Sequence, residues 1–201
     1  MSGSADAPVR IIVIGDQYAA GFGDPKALGW TGRVAARTLP QREIEVVTLA
    51  VPGETTSQMS DRWFAEFERR RATDIETRLV VALGPADIEH GLSLARSRLN
   101  LANILDVAIE KSLNPLVVGP PPVLSQNEAK LGELSTAFHD VAGRRRTPFV
   151  ELFSPLQYHE QWLGDLAASG NRLPQQAGYG LIAWLVLHYG WRTWLGLPND
   201  G

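Results

Sequence analysis

Short apolar, β-branched runs alternate along the chain with longer amphipathic stretches. The runs are Ile11 to Ile14, Glu45 to Leu49, Leu79 to Leu83, Leu116 to Val118 and Phe149 to Leu152. Four of them end on glycine or proline: Gly15-Asp16, Pro52-Gly53, Gly84-Pro85, and Gly119 with three prolines after it; Pro148 precedes the fifth. Continuous rather than alternating apolar runs fit strands covered on both faces. Helical periodicity covers Trp30 to Leu39, Thr55 to Arg71, Ser93 to Ser112, Glu128 to Arg144 and Gln175 to Tyr189. Thr56, Ser57 and Ser93 are the cap candidates.

Strand–helix alternation repeated five times predicts a parallel sheet with helices on both sides. Right-handed crossovers reduce the topologies to a doubly wound sheet, whose binding site is built by loops at the carboxyl ends of the strands. The informative loops are therefore Gly15 to Gly21, Pro52 to Thr56, Gly84 to Asp87, Gly119 to Pro122 and the stretch before the last helix. The 201 residues suit one domain, with residues 1–9 read as flexible and 190–201 as a C-terminal aromatic tail.

Composition changes little in this picture. Hydrophobic residues make up 44% and charged residues 20%, and the net charge of −3 gives no reason to expect nucleic acid or an anionic membrane as partner. The basic clusters Arg69 to Arg71 and Arg144 to Arg146 read as solvated helix ends. No cysteine is present, which excludes disulfides and Cys-ligated metal. No two histidines share a spacing with a carboxylate that argues for metal, and no cofactor is expected. Met1 to Arg10 lacks the apolar core of a signal peptide, and no apolar run is long enough to span a bilayer, so a cytoplasmic location is expected.

The strand-end loops carry a resemblance. Gly15-Asp16-Gln17-Tyr18-Ala19-Ala20-Gly21 resembles the GDSxxxG block of the SGNH (GDSL-type) lipase/esterase family, with Gln17 at the place of the nucleophilic serine. Val51 to Thr56 resembles the second block, whose glycine, here Gly53, lines the oxyanion hole. Gly84-Pro85-Ala86-Asp87 stands at the place of GxND, with Ala86 for the asparagine. Gly119 to Pro122 resembles the end of the family's fourth strand. Leu173-Pro174 through Gly178-Tyr179 resembles the DxxHP…GY block, with Gly170 at the aspartate and Leu173 at the histidine.

The resemblance implies a flavodoxin-like three-layer α/β/α fold around a five-stranded parallel sheet, in a bacterial-type member lacking the catalytic residues. Acyl transfer needs a serine oxygen deprotonated by histidine. The nitrogen lone pair of the Gln17 amide is delocalised, Leu173 accepts no proton, and Gly170 orients no base. A vestigial oxyanion hole is expected at the backbone amides of Gln17 and Gly53 beside Ala86. Asp16, Tyr18, Glu54 and Asp87 are expected to line the pocket. Asp16 and Asp87 read chiefly as loop-fixing carboxylates, His159 as a surface residue, and His139 and His188 as packed or solvated. His90, Ser93 and Ser169 complete the groups weighed for a rescuing role.

The leading expectation is a pseudoenzyme serving as a binding or scaffold module for a small molecule or protein. The alternatives are a weak or non-standard esterase using the amide hole and a bound water, different chemistry with Asp16, Asp87 or Glu54 as acid or base, and a regulatory partner of an active relative. The segment bearing Trp184, Tyr189, Trp191 and Trp194 reads first as packing on the sheet, with a homo-oligomer surface as the sharper alternative. Trp30 and Trp63 read as cover for the sheet.

Overall fold

The computed structural model describes residues 7–125, 127–170 and 173–198. Five parallel strands, β1 (Val9–Gly15), β2 (Ile44–Ala50), β3 (Glu76–Ala82), β4 (Leu116–Val118) and β5 (Phe149–Val150), form one sheet in the order β2-β1-β3-β4-β5. This is the flavodoxin-like doubly wound order, whose switch point lies between β1 and β3. Register is unbroken at the centre, from Val9 opposite Ile44 to Gly15 opposite Ala50, and from Val9 opposite Glu76 to Ile14 opposite Val81.

The side-chain alternation of β1 divides the core. Ile11 and Val13 join one apolar cluster and Ile12 and Ile14 the other, all fully buried. The first cluster takes in α2 (Gly29–Thr38), α8 (Glu160–Ala168), α9 (Gln176–Val186) and α10 (Arg192–Leu195); the second takes in α3 (Thr56–Glu68), α5 (Leu94–Glu110) and α6 (Glu128–Arg144). Four-residue helices α1 (Gln17–Ala20), α4 (Ala86–Glu89) and α7 (Phe153–Leu156) follow β1, β3 and β5 directly.

The strands extend beyond their apolar runs where polar residues are satisfied across the sheet. Arg10, outside the apolar run of β1, pairs with Glu45 of β2 at 2.5 Å. The fifth strand is shorter than predicted because the Glu151 carboxylate accepts from the Phe153 amide at 2.8 Å and from Ser135 Oγ at 2.9 Å, turning the chain into α7. β2 lies at an edge, with Glu45 exposed, rather than covered on both faces. Caps set the helix starts. Thr55, not Thr56 or Ser57, caps α3 in a reciprocal capping box with Gln58, while Ser93 caps α5 as expected.

Two boundary expectations are corrected. Val9 is fully buried and opens the central strand, so the flexible reading of residues 1–9 fails there; residues 1–6 lie outside the described part. The segment from residue 190 is no tail. Helix α9 stops at Val186 and passes through a kink at Tyr189 and Gly190 into α10, with Trp191 and Trp194 buried in the chain's own core. Trp191 Nε1 donates to Thr38 Oγ1 at 2.9 Å, and Trp194 Nε1 to the Asn114 carbonyl at 2.8 Å. Residues 199–201 lie outside the described part. Of the four aromatics in this region, Trp184 and Tyr189 are exposed.

Candidate functional site

The loops at the carboxyl ends of β1, β2 and β3 meet through side chains of the blocks singled out in the sequence. Asp16 ends β1 and caps α1, its Oδ1 accepting the Tyr18 amide hydrogen at 2.9 Å. The carboxyl is buried against Gly84 so closely that any Cβ on Gly84 would collide with it, which explains glycine there. Oδ2 has no hydrogen-bond partner among the described residues. Burial pushes the Asp16 carboxyl up to about 7, against the lowering effect of the Tyr18 amide and with a further raise from the charge of Glu89.

Gln17 opens α1. Its side-chain Oε1 accepts the Gly53 amide hydrogen at 2.6 Å, joining the β1 and β2 loops beside the switch point. Gly53 has φ +72, a left-handed conformation suited to glycine, and open space where a Cβ would stand. The amide expected to line an oxyanion hole thus points into the site and is taken by the side chain at the serine position. Ala86 begins α4 and is buried without a polar side-chain group to offer.

The other carboxylates hold loops. Asp87 accepts from the Thr56 amide at 2.7 Å and Thr56 Oγ1 at 2.6 Å, binding the start of α3 to α4. Asn100 of α5 reinforces it, donating to Thr56 Oγ1 at 3.0 Å and to Ser57 Oγ at 2.9 Å. Glu54 turns to Arg62, which also donates to the Leu49 carbonyl at 3.0 Å. Burial raises the Glu54 carboxyl from its ordinary value, opposed by the Arg62 guanidinium. Tyr18 is buried, and its phenol is pushed up by desolvation and then by the Asp16 charge.

Leu173 and Pro174 lie against the loop after α1. A Cβ on Gly23 would stand 3.0 Å from Leu173 Cβ and 2.8 Å from the Pro174 carbonyl oxygen. Tyr179 hydroxyl donates to the Phe22 carbonyl at 2.7 Å, tying α9 to the same loop. Gly170 sits exposed at the end of α8 with φ +73, and residues 171 and 172 lie outside the described part. Ser169 Oγ donates to the Leu166 carbonyl at 2.8 Å. His90 and His159 are exposed, His139 stacks on Phe149, and His188 stacks on Trp184.

Two carboxylates that shape the site escaped the sequence reading. Asp165 of α8 accepts the Gln175 and Gly178 amide hydrogens at 2.5 and 2.8 Å, capping α9 from another helix. Asp24 accepts the Leu28 and Gly29 amides and pairs with Arg33, which holds its carboxyl down to about 2. Only Asp24, four residues before Leu28, left a local signal, as an Asx cap. Among the described residues no helix is long and apolar enough to cross a membrane, and no cluster of three or more His, Cys, Asp or Glu side chains could hold a metal.

Residues 13–181 match the GDSL-like lipase/acylhydrolase family. The chain belongs to that family. No curated protein matched the sequence. The fold is similar to a lipase/acylhydrolase from Enterococcus faecalis, with 22% identity and a TM-score of 0.76 over 96% of this chain and 98% of that one. It is also similar to a psychrotrophic esterase from Pseudoalteromonas, at 17% identity and a TM-score of 0.72 over 93% and 98% of the two chains. An acetylxylan esterase from Geobacillus stearothermophilus gives 15% identity and a TM-score of 0.72 over 94% of each chain. At these identities the likeness speaks for the GDSL fold.

Proposed function

We propose that this GDSL-family chain does not hydrolyse esters by the serine route and serves as a small-molecule binding module on the hydrolase scaffold. The observation that carries the reading is the bond from the Gly53 amide to Gln17 Oε1. A developing oxyanion would need that N–H, and an amide carbonyl already holds it. The side chain that would have to attack is that same neutral amide, and Leu173, at the histidine position, offers no base. Removing a whole triad costs on the order of 10⁶ in turnover in a serine protease, and one oxyanion donor about 10² to 10³.

The second reading is a weak or non-standard esterase. Family membership favours it, and so does Asp16, a buried carboxyl next to Gln17 titrating near neutral pH, the range suited to general acid–base work. Hydrolysis of p-nitrophenyl acetate separates the two. The native protein is compared with Gln17→Ala, Asp16→Asn and the triple variant Gln17→Ser/Gly170→Asp/Leu173→His. Binding-module function requires native turnover equal to Gln17→Ala at buffer background. Turnover well above Gln17→Ala, or lost in Asp16→Asn, establishes an enzyme. The triple variant is structurally reasonable, because aspartate tolerates the left-handed backbone of Gly170 better than most residues.

A further inference from the structure

A second concavity, away from the strand-end loops, runs between α2 and α9 on the outer face of the sheet. Its volume is about 360 Å³, at the small end of the range for small-molecule sites. The two helices run side by side in the same direction. Tyr179 bonds the Phe22 carbonyl near their starts, and Trp191 bonds Thr38 at the end of α2. A trough of this kind suits an elongated ligand.

The walls are apolar and the charge has one sign. Leu28, Ala183, Trp184 and Leu187 line it, together with Arg33 and Arg37, and no acidic side chain among the described residues does. Arg33 is neutralised by Asp24 and also donates to the Gly29 carbonyl at 2.7 Å. Arg37 makes neither an ion pair nor a hydrogen bond among the described residues. The floor includes Gly180, where an added Cβ would meet nothing within 4 Å. Leu187, the residue that follows α9, lines the trough at its Arg37 end.

We propose that the α2–α9 groove binds a small amphiphilic carboxylate, its anionic head at Arg37 and its apolar chain over Gly180 toward Leu28. Trp184 supplies a flat apolar wall, one face of its ring being stacked on His188 at 4.4 Å. The site is separate from Gln17 and Gly53, neither of which lines it.

The protein carries its own reporter. Trp184 is 47% exposed, whereas Trp30, Trp63, Trp162, Trp191 and Trp194 are at most 7% exposed, so acrylamide quenching reads Trp184. The experiment titrates decanoate, below its micellar range, into the native protein while following that quenching, with decan-1-ol as the neutral counterpart. Decanoate should protect Trp184 saturably and bind at least tenfold more tightly than decanol. Arg37→Gln should weaken decanoate at least fivefold and leave decanol unchanged. Gly180→Leu should abolish protection while the melting temperature holds or rises, because it fills open space and removes a helix glycine. Gln17→Ala should bind as the native protein does. The proposal is overturned if decanoate gives no saturable protection, if Arg37→Gln binds with native affinity, or if protein concentration alone protects Trp184, which would make the groove a contact between two copies.

Discussion

Gln17 and Gly53, thirty-six residues apart, are joined by a hydrogen bond of 2.6 Å that ties the loop after β1 to the loop after β2. The bond depends on backbone as much as side chain, since φ of +72 at Gly53 turns its N–H toward α1. The same bond that occupies the amide also braces the two loops, so its removal is a stability experiment as well as a functional one.

Gln17→Ala should cost about 1 kcal/mol, the net worth of a partly buried neutral hydrogen bond. Gly53→Ala should cost a similar amount, about 1–2 kcal/mol, from left-handed backbone strain alone, since no atom stands near the new methyl. The double variant should cost less than the sum, because without the bond to Gln17 the strained backbone at position 53 is free to relax. Urea denaturation of the four proteins checks this, and strict additivity would show that the loops are held together by something else.

Asp16 sets a pH dependence of defined sign. Its folded pKa of about 7 lies above the unfolded value of 3.8, so the folded state holds the proton more tightly. The contribution to stability is fully present below about pH 4 and is lost as pH rises through 7, amounting to at most about 4 kcal/mol. Asp24 works in the opposite direction, adding stability above the ordinary carboxylate range that is lost only as pH falls toward 2. The informative quantity is therefore the difference between Asp16→Asn and native protein. Asparagine should gain steadily on aspartate between pH 4.5 and 7.5 in denaturant midpoints. A pH-independent difference would mean that water reaches Oδ2.

What the sequence made legible was the part encoded in short runs. Five strands and the loops that carry Asp16, Gly53 and Ala86 follow from apolar runs closed by glycine or proline. Asp16 and Asp87 were readable as loop-fixing groups through the resemblance of their blocks to those of the GDSL family. Helix α8 was not legible, since it buries only Trp162 and Leu166 and has little apolar stripe to read. Nor was the role of Asp165, whose partners lie ten and thirteen residues onward in another helix. The Gln17 bond escaped for the same reason: it depends on where a distant glycine aims its amide. Trp191 and Trp194 looked like a tail because the kink that folds them inward hinges on Gly190. A Cβ there would approach Val150 Cγ2 to 2.9 Å.

The Asp87–Thr56–Asn100 network should be the costliest of the loop anchors to break. Thr56 and Asp87 are both buried, and Asp87→Ala strands the Thr56 amide and hydroxyl together. A loss of about 2–4 kcal/mol is expected, against about 1 kcal/mol for Thr55→Ala in the capping box. Thermal denaturation of the two variants orders them. Equal losses would mean that a water or Asn100 replaces Asp87.

Glu54 and Arg62 form a partly buried ion pair, with the Glu54 side chain 1% and the Arg62 side chain 18% exposed. Arg62→Met leaves a carboxylate enclosed beside the Leu49 carbonyl and should cost about 3 kcal/mol at pH 7. The same desolvation that raises the Glu54 pKa in the native protein would act without its counter-charge, so the residue should take up a proton on folding. Arg62→Met should therefore lose less stability at pH 5 than at pH 8. Replacing both members, Glu54→Met with Arg62→Met, should recover most of the loss at either pH, because the desolvation cost of the pair disappears with its attraction. Denaturant midpoints at the two pH values decide it. A double variant as unstable as Arg62→Met alone would show that the guanidinium matters through its bond to Leu49, holding the end of β2 beside the candidate site, and not through Glu54.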